Sequence, residues 1–346
     1  THICLIYLVF LLNSVMKKIW VLAPFFLGLS VTALTETYLD KNLEADNEKA
    51  KSELLDYGTM LLAGDVDAIT DTAINAAVDE GVGISKSFLE RYFPTVEIGA
   101  MSVGGEKPQW NFLVVAPLSD ENDIFNTVFT QVSANYQDNR TTLNLGLGYR
   151  SLSQNKKTLL GINAFYDHEL RYDHGRASVG IEALSTMWEM RANKYYALTD
   201  AKTGRYDNTE RALHGFDVEA GIPVPYMNWA TVFVKHFEWQ AYGGTDDKEG
   251  QNVSLRARFP DFLTGLELEA GRSFYSGSTY SDENFITASY NLIELFEDKP
   301  SAQVPWVSSQ AFKLESMEDQ RFQKVRRSNV IVKQITSAFS AKVSGV

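Results

Sequence analysis

The chain of 346 residues has a formal net charge of −12, and 45% of its residues are hydrophobic. This acidic balance argues against nucleic acid as a partner, because phosphate binding requires clustered lysine and arginine. The one cysteine, Cys4, precedes the expected signal cleavage site. The mature chain is therefore predicted to lack disulfides and cysteine-based metal or redox sites.

Residues 1–33 form the predicted signal peptide region. They contain two apolar stretches, 3–12 and 19–31, with Met16 and two lysines between them. A positive start, an apolar run and small residues in this order predict a secretory signal that begins at Met16 and is cleaved after Ala33. A signal anchor or a membrane hairpin of two helices is the alternative, but both runs are short for a span.

Residues 38–93 favour helices, since they are rich in Glu, Ala, Lys and Leu and contain few β-branched residues. The glycines Gly81 and Gly83 interrupt the pattern, and Pro94 ends it. The segment is weakly apolar. We therefore expect a small helical arm that packs on a partner surface.

Residues 95–296 alternate apolar and polar side chains, which is typical of strands because successive side chains point to opposite faces. In residues 141–150, for example, Leu145 and Leu147 lie on one face and Asn144 and Arg150 on the other. The pattern predicts about twelve strands, at 95–103, 109–116, 126–137, 141–150, 158–168, 176–184, 187–198, 214–223, 228–239, 252–259, 263–274 and 284–292.

The polar faces of these strands carry the charges. A Lys or Arg at the centre of a bilayer costs about 2–4 kcal/mol when it faces lipid, so the charged face must be the lumen. We therefore predict an all-β transmembrane barrel of about twelve antiparallel strands; a soluble β-sandwich is the alternative. The predicted lumen-lining charges are Arg150, Glu182, Glu189, Arg191, Asp217, Glu219, Lys235, Arg256, Arg258, Glu267 and Glu269.

Aromatic residues and turns supply further expectations. The short turns 137–140 and 184–186 suit the periplasmic side of a barrel, whereas the longer, charged loops 200–213 and 242–251 suit the outer face. Aromatics near strand ends are expected to form an interfacial belt. These are Tyr149, Phe165, Tyr166, Trp188, Tyr195, Tyr196, Trp229, Phe237, Trp239, Phe274 and Tyr290.

Residues 297–346 lose the membrane pattern and are interpreted as a linker that follows the barrel. The linker is polar and basic, and residues 329–332 favour a short strand. The few residues after Gln334 are too short for a folded passenger domain. The charges expected to enter the lumen are Arg321, Lys324, Arg326 and Arg327.

Two interpretations of the lumen charges stay open. They either line a water-filled pore or form ion pairs that hold a threaded linker, and the basic linker favours the second. Four glycines on the polar face would make room for it, or would relieve strand curvature. These are Gly146, Gly148, Gly161 and Gly180.

A cluster of acidic residues and histidines stands at one strand end, at Asp167, His168, Glu169, Asp173 and His174. Such groups can bind a divalent cation, but we interpret the cluster as a solvated turn and predict no metal site. No nucleophile motif accompanies the Ser, His and Asp residues of the chain. We therefore expect neither an enzyme nor a cofactor.

Several motifs resemble one family. Residues 145–150 (LGLGYR) and 160–168 (LGINAFYDH) resemble the central signature of inverse autotransporter barrels of the intimin/invasin family. Residues 210–218 (ERALHGFDV) are similar to its next motif, and Pro223-Val-Pro225 resembles the turn that follows. Residues 319–332 resemble the linker after the barrel.

The resemblance implies type V secretion: an outer-membrane barrel of a Gram-negative bacterium, with a periplasmic arm, whose linker threads the lumen and displays or exports the C-terminal segment. It further implies a contribution to cell adhesion, but the family's adhesion through a passenger domain is not carried over, since the residues after Gln334 are too few to fold. The expected partners are outer-membrane lipid, the barrel-assembly machinery, periplasmic chaperones, and a host or neighbouring-cell surface. The alternatives are a small channel with a periplasmic tail, and a surface adhesin that binds through its loops.

Overall fold

The computed structural model describes residues 93–104, 106–120, 122–259, 265–295, 306–336 and 341–344. The predicted signal region and the predicted arm, apart from Phe93, lie outside these residues. In the described part of the chain, no helix is long and apolar enough to cross a membrane.

Twelve long strands build the wall, and all twelve predicted strands are confirmed with small shifts of their ends. The first seven are β1 (Thr95–Val103), β2 (Gln109–Pro117), β3 (Asn126–Gln137), β4 (Arg140–Leu152), β5 (Leu159–Glu169), β6 (His174–Ser185) and β7 (Trp188–Ala197). Two short strands follow in one loop, β8 (Lys202–Thr203) and β9 (Thr209–Ala212). The wall continues with β10 (His214–Val224), β11 (Met227–Gln240), β12 (Lys248–Arg258), β13 (Leu266–Tyr275) and β14 (Glu283–Asn291). Two further short strands come after it, β15 (Lys333–Thr336) and β16 (Ala341–Ser344).

The wall is a closed antiparallel barrel, in which β1 pairs with β14 from Glu97 opposite Asn291 to Val103 opposite Phe285. Each other wall strand pairs with its neighbours in the sequence, and β7 pairs directly with β10 across the loop that holds β8 and β9. Closure gives every wall strand a hydrogen-bonded neighbour on both sides, which a membrane-spanning sheet requires. The predicted fold class is confirmed.

The two faces of the wall are those that the alternation predicts. Large apolar side chains point outward and are exposed, for example Ile162 at 59% and Ile181 at 62% of their surface. Charged side chains on the other face are buried, and Arg150 and Asp167 have no exposed surface at all. The outward apolar side chains can therefore contact hydrocarbon, while these buried charges stay away from it.

The predicted aromatic belt is correct for some residues and wrong for others. Tyr149, Tyr166, Tyr196 and Phe274 are exposed on the outer face. The rings of Phe165, Tyr195, Phe237 and Trp239 are buried instead. Along a strand, odd-numbered and even-numbered residues point to opposite faces. This parity of a residue, and not its distance from the strand end, decides which face it occupies.

The barrel has two mouths, which we name by the strands that end there. The lower mouth holds the start of β1 and the end of β14, and the upper mouth holds the loop between β7 and β10. The prediction that turn 137–140 and loop 200–213 lie on opposite sides is wrong. Four wall strands, β4 to β7, separate them. An even number of antiparallel strands returns the chain to the mouth from which it started, so both lie at the upper mouth, where Arg140 donates a hydrogen bond to Glu210.

A second, smaller sheet has the strand order β16-β15-β9-β8 and lies at the upper mouth. It joins the loop after β7 to the residues that follow the linker, since Lys333–Thr336 pairs with Thr209–Ala212. The strand predicted at 329–332 therefore begins at Lys333 instead. The prediction that loop 200–213 is an exposed surface loop is correct for Tyr206, which is 85% exposed, and wrong for Glu210 and Leu213, which are fully buried.

Candidate functional site

The candidate site is the interior of the barrel together with the segment that passes through it. Residues 306–336 contact the wall in sequence order, from the lower mouth to the upper mouth. Near the lower mouth, the backbone N–H of Met317 donates to the carbonyl of Lys156 at 2.8 Å. Near the upper mouth, the N–H of Leu213 donates to the carbonyl of Val332 at 3.0 Å. We call residues 321–332 the lumen segment.

The segment enters the lumen over an apolar contact. Met317 is buried and packs with Leu152, Leu159 and Leu184, which stand at the lower ends of β4, β5 and β6. These side chains have the inward parity of their strands, so Met317 marks the point at which the linker passes inside the wall. Glu318 then pairs with Lys156 at 2.7 Å.

Arg326 forms the centre of the first charged cluster. Its guanidinium group contacts Glu219 of β10 and Glu269 of β13, each at 2.8 Å, and lies 4.4 Å from the centre of the Phe233 ring. Lys324, two residues earlier, contacts Glu97 at 2.7 Å and Glu267 at 3.1 Å. These two linker cations therefore join the strands β1, β10 and β13.

Arg327 points to the other side of the lumen and pairs with Asp167 of β5 at 2.6 Å. Asp167 also accepts a hydrogen bond from Arg176 of β6 at 2.8 Å. All three side chains are fully buried, and the Arg327 guanidinium lies 4.3 Å from the centre of the Phe165 ring. One carboxylate thus compensates two guanidinium groups, with further help from the aromatic ring.

The backbone of the lumen segment is bound by side chains of the wall. Its carbonyls accept hydrogen bonds from Arg150 (to Arg321 and Gln323), Arg176 (to Ser328 and Val330), Asn144 (to Asn329) and Asn193 (to Arg326). Its N–H groups donate to the Gln131 amide from Val325 and to the Tyr195 hydroxyl from Ser328. Buried backbone groups need partners, and here the wall supplies them without any strand pairing.

The predicted lumen charges fall into two groups by what they touch. Arg150, Glu219, Glu267 and Glu269 contact the lumen segment directly. The second group binds other residues of the wall and consists of Glu182, Glu189, Arg191, Asp217, Arg256 and Arg258. Glu182 pairs with Arg150, Glu189 pairs with Arg191 and Arg256, and Arg258 pairs with Glu267. Asp217 accepts hydrogen bonds from Asn193 and Tyr195. Lys235 lies opposite Glu219 in the β10–β11 register.

Of the four linker cations named from the sequence, Arg321 has a different position from the others. It stands at the lower entry, where its Nε donates to the carbonyl of Glu318 at 2.9 Å and its Nη1 approaches the carbonyl of Asp123. Lys324, Arg326 and Arg327 reach into the lumen.

Sequence reasoning missed several residues that bind the linker. They are Glu97, Gln131, Asn144, Asp167, Glu169, Arg176, Asn193 and Tyr195. The alternation could have predicted that Asp167 and Glu169 face the lumen, because they share the inward parity of Asn163 and Phe165. The interpretation of the acidic-histidine cluster as a solvated turn is therefore wrong for Asp167, Glu169 and His174, which have no exposed surface.

Two of the four glycines on the polar face, Gly146 and Gly148, make room for aromatic rings of neighbouring strands, whereas Gly161 lies against Glu182 and Gly180 against Asn193. A Cβ on Gly146 would lie 2.1 Å from the ring of Phe165, and one on Gly148 would lie 2.2 Å from the ring of Phe129. Phe165 in turn supports Arg327 of the linker. The glycines of β4 therefore help the linker indirectly, by letting rings lie flat across the wall.

At the upper mouth a set of contacts that we call the latch holds the linker where it leaves the lumen. It consists of the pairing of β15 with β9, an ion pair between Lys333 and Glu169, and the hydrogen bonds of Gln334 with Tyr242. Arg140 contacts Glu169 at 3.0 Å and Glu210 at 2.6 Å, so it connects the turn after β3 to the latch.

Glu210 of the latch carries a perturbed carboxyl group. Burial raises its pKa, but the His174 ring nitrogen 3.6 Å from its carboxylate, together with the hydrogen bonds and the charge of Arg140, lowers the pKa by more, so the net pKa lies well below that of an ordinary glutamate. Glu210 therefore stays ionised at neutral and mildly acidic pH, and its ion pair with Arg140 persists there.

Comparison with known proteins identifies the family of this arrangement. Residues 66–329 match the family model described as inverse autotransporter, beta-domain. The chain belongs to this family.

Invasin of Yersinia enterocolitica is 27% identical over 191 residues, which cover 53% of this chain and 21% of invasin. Intimin of Escherichia coli O111:H- is 26% identical over 275 residues, which cover 77% of this chain and 28% of intimin. The inverse autotransporter adhesin YeeJ of Escherichia coli K12 is 31% identical over 139 residues, which cover 38% of this chain and 6% of YeeJ. The chain therefore spans well under half the length of these relatives.

A solved chain from a study of the in-meso crystallization of membrane proteins superposes with a TM-score of 0.57 at 20% identity. The superposition covers 71% of this chain and 100% of that chain, and it shows a common fold. As an inverse autotransporter β-domain with a closed barrel, the protein resides in the outer membrane of a Gram-negative bacterium.

Proposed function

We propose that the barrel anchors and exports its own C-terminal segment, with the lumen segment as the part of the chain that remains in the membrane. The observation that carries this proposal is the order of contacts. Met317 packs at the lower mouth, Lys324 to Val330 bind the lumen wall, and Lys333 pairs at the upper mouth. A tail that stayed on the side of the barrel termini would not need these contacts.

In this proposal the lower mouth faces the periplasm and the upper mouth faces the outside. The predicted signal peptide would deliver residues before β1 to the periplasm, and the start of β1 lies at the lower mouth. The latch then forms outside the cell. No ATP or cofactor takes part in this arrangement, and the barrel-assembly machinery and periplasmic chaperones would supply the folded barrel.

The lumen segment would also close the barrel to small solutes. Buried cations of the linker are compensated by carboxylates of the wall, so the withdrawal of the linker would separate Lys324, Arg326 and Arg327 from those carboxylates. Removal of one partner from a buried ion pair typically costs about 3–5 kcal/mol. The proposed function thus combines an anchor and a plug in the same contacts.

We further propose that the exported segment serves attachment to a host or neighbouring cell. Support comes from the relatives, which include an adhesin by name, and not from a binding site in the barrel. Loop-mediated adhesion has less support, because part of loop 200–213 is committed to the latch.

A protease-cleavable tag placed after Val346 tests export. We expect protease added to intact cells to remove the tag, while a matched tag inserted after Gln154, in the β4–β5 turn at the lower mouth, stays protected. Protection of the C-terminal tag and cleavage of the Gln154 tag would reverse the orientation. Protection of both tags would refute export.

A further inference from the structure

The linker has a second contact surface that the export proposal does not use. Residues 306–316, which we call the rim strap, cross the lower mouth before the linker enters the lumen. The strap binds two successive lower turns: Ala311 accepts from the N–H of Tyr226 at 2.9 Å, and Lys313 accepts from the hydroxyl of Thr186 at 2.7 Å. Met317 then lies inside the wall.

The strap begins on the outside of the barrel. The Trp306 ring lies 5.3 Å from that of Trp229 and 6.2 Å from that of Phe259, and the Trp229 indole N–H donates to the Trp306 carbonyl at 2.8 Å. Phe259 follows β12 with the parity of Val253 and Leu255, which are exposed on the lipid-facing side. The first residues of the strap therefore extend the outer wall downward.

The height of this aromatic group fits the edge of the bilayer. Gln251 is a polar residue on the outer face of β12, just above the apolar Val253. From Gln251 down to Phe259 the strand covers about 27 Å, or about 20 Å along the membrane normal at a tilt near 40°. The apolar band of such barrels is about 25 Å tall, with aromatic girdles at both edges. The rings of Phe259 and of Trp306, which lie 6.2 Å apart, thus stand where a girdle is expected.

The strap also exposes large apolar side chains. Trp306 is 41%, Val307 68%, Phe312 40% and Leu314 48% exposed. Four such side chains within nine residues are costly to leave in water. Because the strap continues the lipid-facing wall, lipid is the occupant that its position favours.

We propose that the rim strap is a membrane-interface anchor, whose apolar side chains insert into the boundary between headgroups and acyl chains of the lipid leaflet at the lower mouth. It fixes the point at which the linker turns into the lumen. This inference requires that the barrel is in a bilayer, and it holds whether or not the C-terminal segment is exported.

Spin labelling of the full chain tests the proposal. Cys4→Ser removes the native thiol, and single cysteines then replace Val307 or Leu314. Ile181→Cys is the lipid-facing reference, and Gln154→Cys in the β4–β5 turn is the water-facing reference at the same mouth. Each protein is folded into phosphatidylethanolamine–phosphatidylglycerol vesicles, and heat-modifiable migration on a gel verifies folding.

The readout is the ratio of collision rates with oxygen, which partitions into lipid, and with a nickel chelate, which stays in water. We expect this ratio at Val307 and Leu314 to exceed that at Gln154 by about threefold or more and to approach that at Ile181. Ratios closer to that of Gln154 would overturn the proposal, and would leave the export result unaffected.

Discussion

The lumen segment and the latch hold neighbouring parts of the same linker by different means. Inside the barrel, residues 321–332 form no strand, and their backbone is bound by side chains such as Arg150 and Arg176. At the upper mouth, Lys333–Thr336 forms a strand that pairs with β9 on one side and β16 on the other.

Closure of the barrel accounts for the difference. All wall strands already have two hydrogen-bonded neighbours, so no strand edge inside the lumen is free to accept the linker. The wall must then satisfy the linker with long side chains. The loop after β7 is outside the closed sheet, and β9 therefore offers an edge. The lumen segment should thus respond mainly to changes of charge, and the latch mainly to changes of the backbone.

The largest effect is expected for Asp167→Asn. The substitution leaves the buried guanidinium groups of Arg176 and Arg327 without their shared counter-charge, which typically costs about 3–5 kcal/mol. We expect the lumen segment to detach and the conductance of single barrels in planar bilayers to rise. The control is Asp173→Asn, since the Asp173 side chain is 70% exposed. Equal conductance of the two variants would contradict the role of Asp167.

The double substitution Glu219→Gln and Glu269→Gln removes both carboxylates from Arg326. We expect a loss of about 3 kcal/mol in the binding of the lumen segment, because one buried charge then lacks compensation. Hydrogen exchange followed by mass spectrometry should show faster exchange of residues 321–332, with little change in β15.

The matched control for this pair is Glu238→Gln with Glu249→Gln. These two glutamates lie opposite each other in the β11–β12 register and have the outward parity of their strands. Faster hydrogen exchange of residues 321–332 in the control, or uniform acceleration along the whole linker, would argue against specific binding of the lumen segment by Glu219 and Glu269.

Ile335→Pro should break the latch and leave the lumen segment in place. Proline has no backbone N–H, and β15 has a neighbour on each side, so the substitution removes a ladder hydrogen bond in a central strand. We expect a local cost of about 1–3 kcal/mol and proteolysis after Lys333 in folded barrels. Ile335→Val keeps the N–H and should behave as the wild type. Cleavage within residues 321–332 would indicate that the two regions are coupled.

The smallest effect is a dependence of the latch on pH. Burial raises the pKa of Glu210, but the nearby His174 ring and the hydrogen-bonded Arg140 lower it by more, so that it lies well below its ordinary value of 4.5. Since the folded pKa is the lower one, the stabilisation is complete above pH 4.5 and is lost as the pH falls towards the folded pKa.

Exchange of β9 and β15, measured relative to β14 in the same sample, should be unchanged from pH 7 to pH 5 and should accelerate below about pH 4. In Glu210→Gln the relative exchange should be faster at neutral pH and nearly independent of pH. A relative rate in the wild type that rises already between pH 7 and pH 5 would exclude Glu210 as the responsible group.

The local pattern of residues was enough to predict the strands and their faces. Alternation with period two is a local property, since each side chain points away from its neighbours whatever the rest of the chain does. The strands β1 and β3 begin and end where the pattern predicts, at Thr95–Val103 and Asn126–Gln137. The alternation also separated Ile181 on the outside from Glu182 on the inside.

Which inward charges meet the linker depends instead on the three-dimensional arrangement of the strands. Glu189 and Glu219 both have inward parity, but Glu189 binds Arg256 of the wall while Glu219 binds Arg326 of the linker. Their roles depend on the stagger of twelve strands around the closed barrel and on the depth at which each linker residue stands. These are relations between residues far apart in the chain, and no local pattern encodes them.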